Sequence, residues 1–267
     1  MTPLADRLIQ SSACSRHFLE EPSLDKMAAF VRARQNPDGG YRGRDGQSDL
    51  YYTVFAVICL KTLGYQIPVL KIWKYARSFG VGRNLDLVHL VCLIRIRTAF
   101  PMFGFTRRRL FQALQQHQAD SAYGLFLKLF AEDFRGSISQ TEALPETKPS
   151  DPTPNLAAAL IVGAENDVLL EKTLLSRAVE SGGFAPSDRI GQPDLLSTAT
   201  AVFALVSRGV NMDDLQKPCI KYAESLWRES GGFAGHAADE FEDVEYTFYA
   251  LLTIGSLIKS MAKGYGN

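Results

Sequence analysis

Two kinds of apolar segment alternate along the chain. In the first, the apolar residues keep to one face. Leu24, Met27, Ala28 and Val31 recur at i, i+3, i+4 and i+7, and Ile220, Ala223 and Trp227 share a face in the same way. This spacing predicts amphipathic helices with one wet side. In the second kind, apolar residues run almost all round, as in Leu50–Leu60. A helix of that composition has no face to offer water and must be enclosed. Glycine pairs separate the two kinds at Gly39-Gly40, Gly182-Gly183 and Gly231-Gly232. The pattern predicts an outer, half-exposed helix, a glycine turn and an inner, enclosed helix, used repeatedly.

Three segments align residue by residue: Gly39–Gly64, Gly182–Gly209 and Gly231–Gly255. Each opens with Gly-Gly and an aromatic residue, Tyr41, Phe184 or Phe233. An aspartate follows (Asp49, Asp194, Asp243), then a threonine four residues on (Thr53, Thr198, Thr247) and an alanine three further (Ala56, Ala201, Ala250). An aliphatic residue, Leu60, Leu205 or Ile254, completes the stripe. These offsets return to nearly the same side of a helix. The aspartate stands where an N-cap belongs, and Gly64, Gly209 and Gly255 stand where helices stop. The middle of the chain is placed by spacing: Asp86, Asp120 and Asn155 are expected to head inner helices over Leu85–Cys92, Ser121–Phe130 and Leu156–Val162. The expectation is one domain over 1–267 with about five to six helical hairpins. A Pro-rich stretch at 136–154 has little to bury and reads as a loop.

Composition removes several alternatives. Lys+Arg and Asp+Glu are equal at 29 each, so no net field draws the chain to nucleic acid or anionic lipid. Arg107–Arg109 is a short basic run without the aromatic interleaving of a nucleic-acid site. No apolar run reaches membrane-spanning length, and the N-terminus carries no signal-like apolar stretch. Cys14, Cys59, Cys92 and Cys219 form no CxxC pair, which fits reduced thiols in the cytoplasm. His89 and Cys92 share a helix face but lack a third metal ligand and read as enclosed residues.

The segments QNPDGGY, GGFAPSDRIGQPDL and GGFAGHAADEFEDVEYTFYAL resemble the repeat of protein prenyltransferase β subunits and of squalene and oxidosqualene cyclases. The resemblance implies an all-α, α/α toroid whose inner helices surround an apolar, aromatic-lined cavity. It also implies a partner: an isoprenoid or terpenoid small molecule or, by the alternative reading, a protein partner for a non-catalytic toroid module or subunit. The zinc site of the transferases does not carry over. Their Asp matches Asp194, but Leu196 stands at the Cys position and Tyr246 at the His position. One carboxylate does not hold zinc. Of the transferases' diphosphate-binding pair, Arg189 lies in the corresponding turn out of register, and Gly191 stands near the expected Lys.

The cyclase motif Asp-x-Asp-Asp-Thr fares better. Asp243-Val244-Glu245-Tyr246-Thr247 keeps its first Asp, a middle acid and the Thr. Glu245 is the candidate acid and Asp243 its partner, because protonating an alkene requires a carboxyl kept neutral. The same two residues also read simply as an N-cap and a first-turn acid favoured by the helix dipole. The acidic run Asp239, Glu240, Glu242, Asp243 and Glu245 leaves Mg²⁺ possible as a cofactor, with a solvated acidic turn as the alternative. His236, in the last glycine turn, is a candidate to orient a polar ligand group. Tyr51, Tyr52, Phe55, Tyr123, Phe126, Tyr246, Phe248 and Tyr249 fall on expected inner helices. They either face a cavity fit for an isoprenoid and its carbocations or pack between helix layers.

Overall fold

The computed structural model describes residues 3–99, 104–132, 143–163 and 167–264. Six inner helices stand side by side: α3 (Leu50–Leu63), α5 (Leu87–Thr98), α7 (Ala122–Glu132), α8 (Thr153–Val162), α10 (Leu195–Ser207) and α12 (Val244–Gly264). Each packs on the next in that order, and α12 packs back on α3, which closes the ring. The outer helices are α2 (Glu21–Arg32), α4 (Val69–Ser78), α6 (Gly104–Leu114), α9 (Val168–Leu175) and α11 (Asp213–Ser225). The fold is therefore an all-α toroid. Among the described residues, five outer–inner pairs precede or follow α8, and residues 143–152 before it carry no helix.

The repeat residues explain the closure. Each threonine works twice. The Thr53, Thr198 and Thr247 hydroxyls donate to the carbonyls of Asp49, Asp194 and Asp243 one turn back. They also accept from the amides of Tyr41, Phe184 and Phe233, at 2.9, 2.9 and 3.3 Å. This fixes the glycine turn against the first turn of the inner helix and satisfies buried backbone donors. The aspartate carboxylates cap those helices, accepting from Tyr51, Ser197 and Tyr246 amides. The first glycine of each pair has φ near +100° and lies on the backbone of another outer helix. Gly39 meets Lys71 of α4, Gly182 meets Pro218 of α11, and Gly231 meets Lys26 of α2, joining the last repeat to the first. No side chain fits there, and L residues avoid that φ.

Three local expectations are corrected. Gly64 and Gly209 adopt positive φ at helix ends, as a stop requires, but Gly255 lies inside α12. Its missing side chain admits the backbone of α1 (Leu4–Ala13), since a Cβ would collide with the Ser11 carbonyl. Asp120 is exposed, and the Ser121 hydroxyl caps α7 by accepting from the Gly124 amide at 3.1 Å. Asn155 lies within α8 rather than before it, and its side-chain oxygen accepts from the Tyr123 amide of α7 at 3.0 Å. Of the Pro-rich stretch, 136–142 lie outside the described residues, and Thr153 and Pro154 already belong to α8, where proline at the first turn costs no hydrogen bond.

Helix α1 was not expected from the sequence. It lies against the C-terminal halves of the inner helices. The Ser12 hydroxyl meets that of Thr62 on α3 at 2.8 Å, and Lys259 of α12 donates to the Ser11 hydroxyl at 3.2 Å. The short 3₁₀ turn Cys14–His17 that follows packs on α12. Among the described residues, no helix is long and apolar enough to cross a membrane.

Candidate functional site

Within the ring lies a partly open pocket of about 110 Å³. Its wall follows from helix periodicity. Helix α3 contributes Tyr51, Val54, Phe55 and Ile58; α5 contributes Val88, Val91, Cys92 and Arg95; α7 contributes Tyr123, Phe126, Leu127 and Phe130; α8 contributes Pro154, Ala157, Ala158 and Ile161. All four sets are i, i+3, i+4, i+7, one face of two helical turns. At 1.5 Å per residue the wall runs about 10 Å along the ring axis. Thr200 and Phe203 of α10 and Phe248, Tyr249 and Leu252 of α12 complete it, together with Leu8 of α1. Aromatic rings meet across helices: Phe55 lies 5.5 Å from both Phe248 and Tyr249, and Tyr51 lies edge-on to Phe55 at 4.9 Å. Tyr123, Phe126 and Phe130 stack along α7 at 6.3 and 6.2 Å.

At the N-terminal end of the inner helices stands Glu245. The Tyr51 hydroxyl donates to its carboxylate at 2.6 Å. Burial raises the Glu245 pKa; the Tyr51 hydroxyl opposes that rise, the charge of Asp243 adds to it, and it settles at about 7. Tyr51 and Glu245 occupy equivalent positions, two residues after Asp49 and Asp243. The same position holds Val88 after Asp86 and Tyr123 after Ser121, both on the cavity wall. Tyr51, Val88 and Tyr123, each two residues after a cap, thus look inward at this rim. Glu245 itself is not among the lining residues, but its hydrogen-bond partner Tyr51 is.

The remaining predicted residues divide into groups. Tyr51, Phe55 and Tyr249 line the cavity. Asp243 is buried and bound twice, through Oδ1 to the Tyr246 amide and through Oδ2 to Arg44 Nε at 3.2 Å. Tyr52 and Tyr246 lie outside the wall, on the glycine turns at Gly43 and Gly235, where a Cβ would strike their rings. The Arg44 guanidinium lies over the Tyr246 ring, 5.6 Å from its centre. Asp194 caps α10; burial raises its pKa, against the pull of the Ser197 bonds and of His236. His236 and Arg189 are exposed on turns, apart from the cavity. His89 is not enclosed. It bridges two caps at the rim, Asp86 at 2.8 Å and Asp49 at 3.2 Å, while Cys92 one turn below is buried on the wall.

Sequence reasoning passed over Arg95 and Phe130 at the opposite end. Arg95 Nη1 donates to the Phe130 carbonyl at 3.4 Å, and its guanidinium lies 4.7 Å from the Phe130 ring centre. The signal was present in the spacing of Val88, Cys92 and Arg95, but a single charge in an apolar run looks like a boundary until the ring is closed.

The residues at the three transferase zinc positions do not make a zinc ligand set. Asp194 is engaged as a cap, Leu196 and Tyr246 stand at the other two ligand positions, and among the described residues no group of three or more His, Cys, Asp or Glu is placed to hold a metal. The acidic run is divided among cations and hydroxyls: Arg44 takes Asp239 and Asp243, Arg34 takes Glu242, and Tyr51 takes Glu245. No curated protein matches the chain. Residues 9–81 and 157–263, which include the three glycine turns, α3, α10, all but the last residue of α12 and the later part of α8, match the prenyltransferase α/α toroid domain, and the chain belongs to that family.

Proposed function

We propose that this protein binds a prenyl or terpenoid chain in the ring cavity and acts on it by proton transfer, without zinc. One observation carries the reading: a carboxyl that titrates near neutrality stands behind a tyrosine hydroxyl on the wall of an apolar, aromatic cavity. A carbon–carbon double bond is a weak base. Its protonation needs a neutral acid and a site that excludes water. With Glu245 protonated, the Tyr51 hydroxyl gives its proton to an alkene carbon and takes the proton of Glu245. A C–H bond forms, the π bond is consumed, and a carbocation remains opposite a Glu245 carboxylate. The faces of Phe55, Phe126 and Phe248 stabilise that cation. Loss of a neighbouring C–H proton back to Glu245 through Tyr51 completes an isomerisation or cyclisation with no oxidant and no metal. Asp243 acts as the acid's partner, because its charge raises the proton affinity of Glu245.

The test is calorimetric titration of the metal-stripped protein with geraniol and farnesol, followed by product analysis. Binding at micromolar concentration or tighter is expected, with Glu245→Gln binding the alcohols equally well and forming no product. Turnover by Glu245→Gln at the wild-type rate removes the acid assignment. No heat and no thermal stabilisation with either alcohol overturns the reading and favours a toroid that serves a protein partner.

A further inference from the structure

The chain is neutral as a whole and uneven in its parts. Residues 50–119, which run from α3 through α6 and the turn after it, hold ten of the 29 Lys and Arg but one of the 29 Asp and Glu, Asp86. The rest of the chain carries the balancing negative charge. Within this basic sector α4 buries Ile72, Tyr75 and Ala76 and presents Leu70, Trp73, Lys74 and Arg77 outward. Those four are spaced i, i+3, i+4, i+7 and form one stripe along the outside of the ring. Leu70 is 82% exposed, and Val69 beside it is exposed as well. We infer that this face of α4 rests on an anionic lipid surface, with Leu70 and Trp73 entering the interface and Lys71, Lys74 and Arg77 on the headgroups. The inference concerns the outside of the ring and does not depend on what the cavity binds.

The other outer helices supply the contrast. Helix α2 turns Asp25, Ala29 and Arg32 outward, and α11 turns Asp214, Lys217, Lys221 and Glu224 outward. Both faces mix the two signs, and among their described residues neither exposes a large apolar side chain. Val168 and Leu169 of α9 are exposed too, but Asp167 and Glu171 stand beside them. On α4 the flanking charges have one sign. Among the described residues no ion pair engages Lys71, Lys74 or Arg77. The Arg77 guanidinium lies over the Trp73 ring, 4.8 Å from its centre. Helix α6, which packs on the same inner helix α5, adds the exposed Arg108. Two acids on adjoining elements are engaged with hydroxyls. Asp38, on the glycine turn that meets Lys71, accepts from Ser48, and Asp25 of α2 accepts from Tyr65.

Chemistry selects the occupant. A row of cations alone suits any polyanion. An exposed leucine gains nothing from a phosphate backbone, but it gains by leaving water for acyl chains. Tryptophan settles at the level of lipid headgroups, and Leu, Trp and Lys together are the composition of a helix that lies in that plane. The long stems of Lys71, Lys74 and Arg77 can lie along apolar surface while their charges reach the phosphates. Each cation near an anionic leaflet adds to the attraction, and salt screens the sum. A protein partner fits less well. A helix of 10 residues is about 15 Å long and offers little of the roughly 800 Å² that a stable protein interface takes from each side. A bilayer asks for no complementary shape.

The experiment floats the intact protein with vesicles of phosphatidylcholine alone and of phosphatidylcholine with about 30 mol% phosphatidylserine, and measures its affinity for a DNA duplex in parallel. Binding to the anionic vesicles is expected to be about tenfold tighter or more than to the neutral ones, and to weaken as salt is raised. Lys74→Glu combined with Arg77→Glu should abolish the preference. Leu70→Ser combined with Trp73→Ser should lower the affinity for anionic vesicles about tenfold. Lys217→Glu combined with Lys221→Glu makes the same charge change on α11 and should keep the preference. All of these side chains are exposed, and thermal unfolding checks that each variant folds. Equal binding of the wild-type protein to both vesicle types, or binding to neither, overturns the inference without reliance on any variant. So does tighter binding to the duplex than to the anionic vesicles, which would give the basic sector to nucleic acid. Full affinity in the Leu70 and Trp73 variant removes α4 as the contact, and an equal loss in the α11 variant would mean that net charge, not this face, sets the binding.

Discussion

The turns that precede α10 and α12 share a skeleton and differ in content. Both open with Gly-Gly-Phe, both cap the inner helix with aspartate, and both lock the turn with a buried threonine hydroxyl. Two residues after the cap they part. Position 196 is leucine, while position 245 is glutamate, bonded to Tyr51 on the neighbouring α3. The skeleton positions are fixed by backbone geometry and leave no choice of side chain. The position two after the cap is free of that duty, so its side chain can differ between repeats. Scaffold and site are thus interleaved in one repeat, and each can be broken separately.

The largest effect should come from the skeleton. Gly231→Ala forces a side chain into the Lys26 carbonyl at φ +98°, at the seam between the last and first repeats. A cost of about 3 kcal/mol or more is expected, measured by urea unfolding, and Gly182→Ala should behave alike because its Cβ meets the Pro218 carbonyl. Gly191→Ala is the control. It lies in the same turn as Gly182, has open space around it, and should change stability by less than about 0.5 kcal/mol. Equal effects at the three sites would show that close packing of the turns does not hold the ring shut.

The next effect separates site from skeleton. Glu245 titrates at about 7 in the folded chain against an ordinary 4.5, so folding favours its protonated form. That contribution is complete below pH 4.5 and is lost as pH rises through 7. Its size is about 3 kcal/mol by the linkage of protonation to folding. Glu245→Gln keeps the shape and an acceptor for Tyr51 but never ionises. The variant should therefore match the wild-type protein near pH 4.5 and exceed it at pH 8, with the difference opening between those values. Parallel stability curves across that range would remove the perturbed acid from the site.

How much of this was legible follows from the kind of signal each residue leaves. The alternation of half-apolar and all-apolar helices and the threefold Gly-Gly repeat gave the outer–inner helix pairs, because both reflect local periodicity, while closure into a toroid was implied by the family resemblance. Gly255 was misread because a glycine near the end of a repeat looks like a stop, while its role depends on α1 crossing from the other end of the chain. Helix α1 itself carries apolar Leu4 and Leu8 one turn apart, but its serines at 11 and 12 hide the buried face until Thr62 and Lys259 are seen to meet it. The motif singled out Glu245 and Asp243 as candidates, whereas the rings of Tyr52 and Tyr246, open in the sequence between cavity and helix packing, lie on the glycine turns. Residues that touch across the ring, Tyr51 with Glu245 above all, leave no mark in the order of the chain.

The smallest effect tests the rim where the sequence suggested an enclosed histidine. His89 joins the caps of α3 and α5 through Asp49 and Asp86. Burial pulls its pKa down, but the hydrogen bond to Asp86 and the charge of Asp49 outweigh that, so the folded value lies above the ordinary 6.5. The pair of bridges therefore stabilises the fold fully below pH 6.5 and fades as pH rises through the folded value. The ring is about one-third exposed, at 34%, and solvent screens both bridges. His89→Gln should cost less than about 1 kcal/mol at pH 5.5 and nothing measurable at pH 8.5, by thermal unfolding at the two values. The direction opposes that of Glu245→Gln, which gains at high pH rather than losing at low pH. A loss at pH 8.5 as large as at pH 5.5 would mean that His89 supports the rim by packing rather than by charge, and that Glu245 alone carries the pH response of this end of the ring.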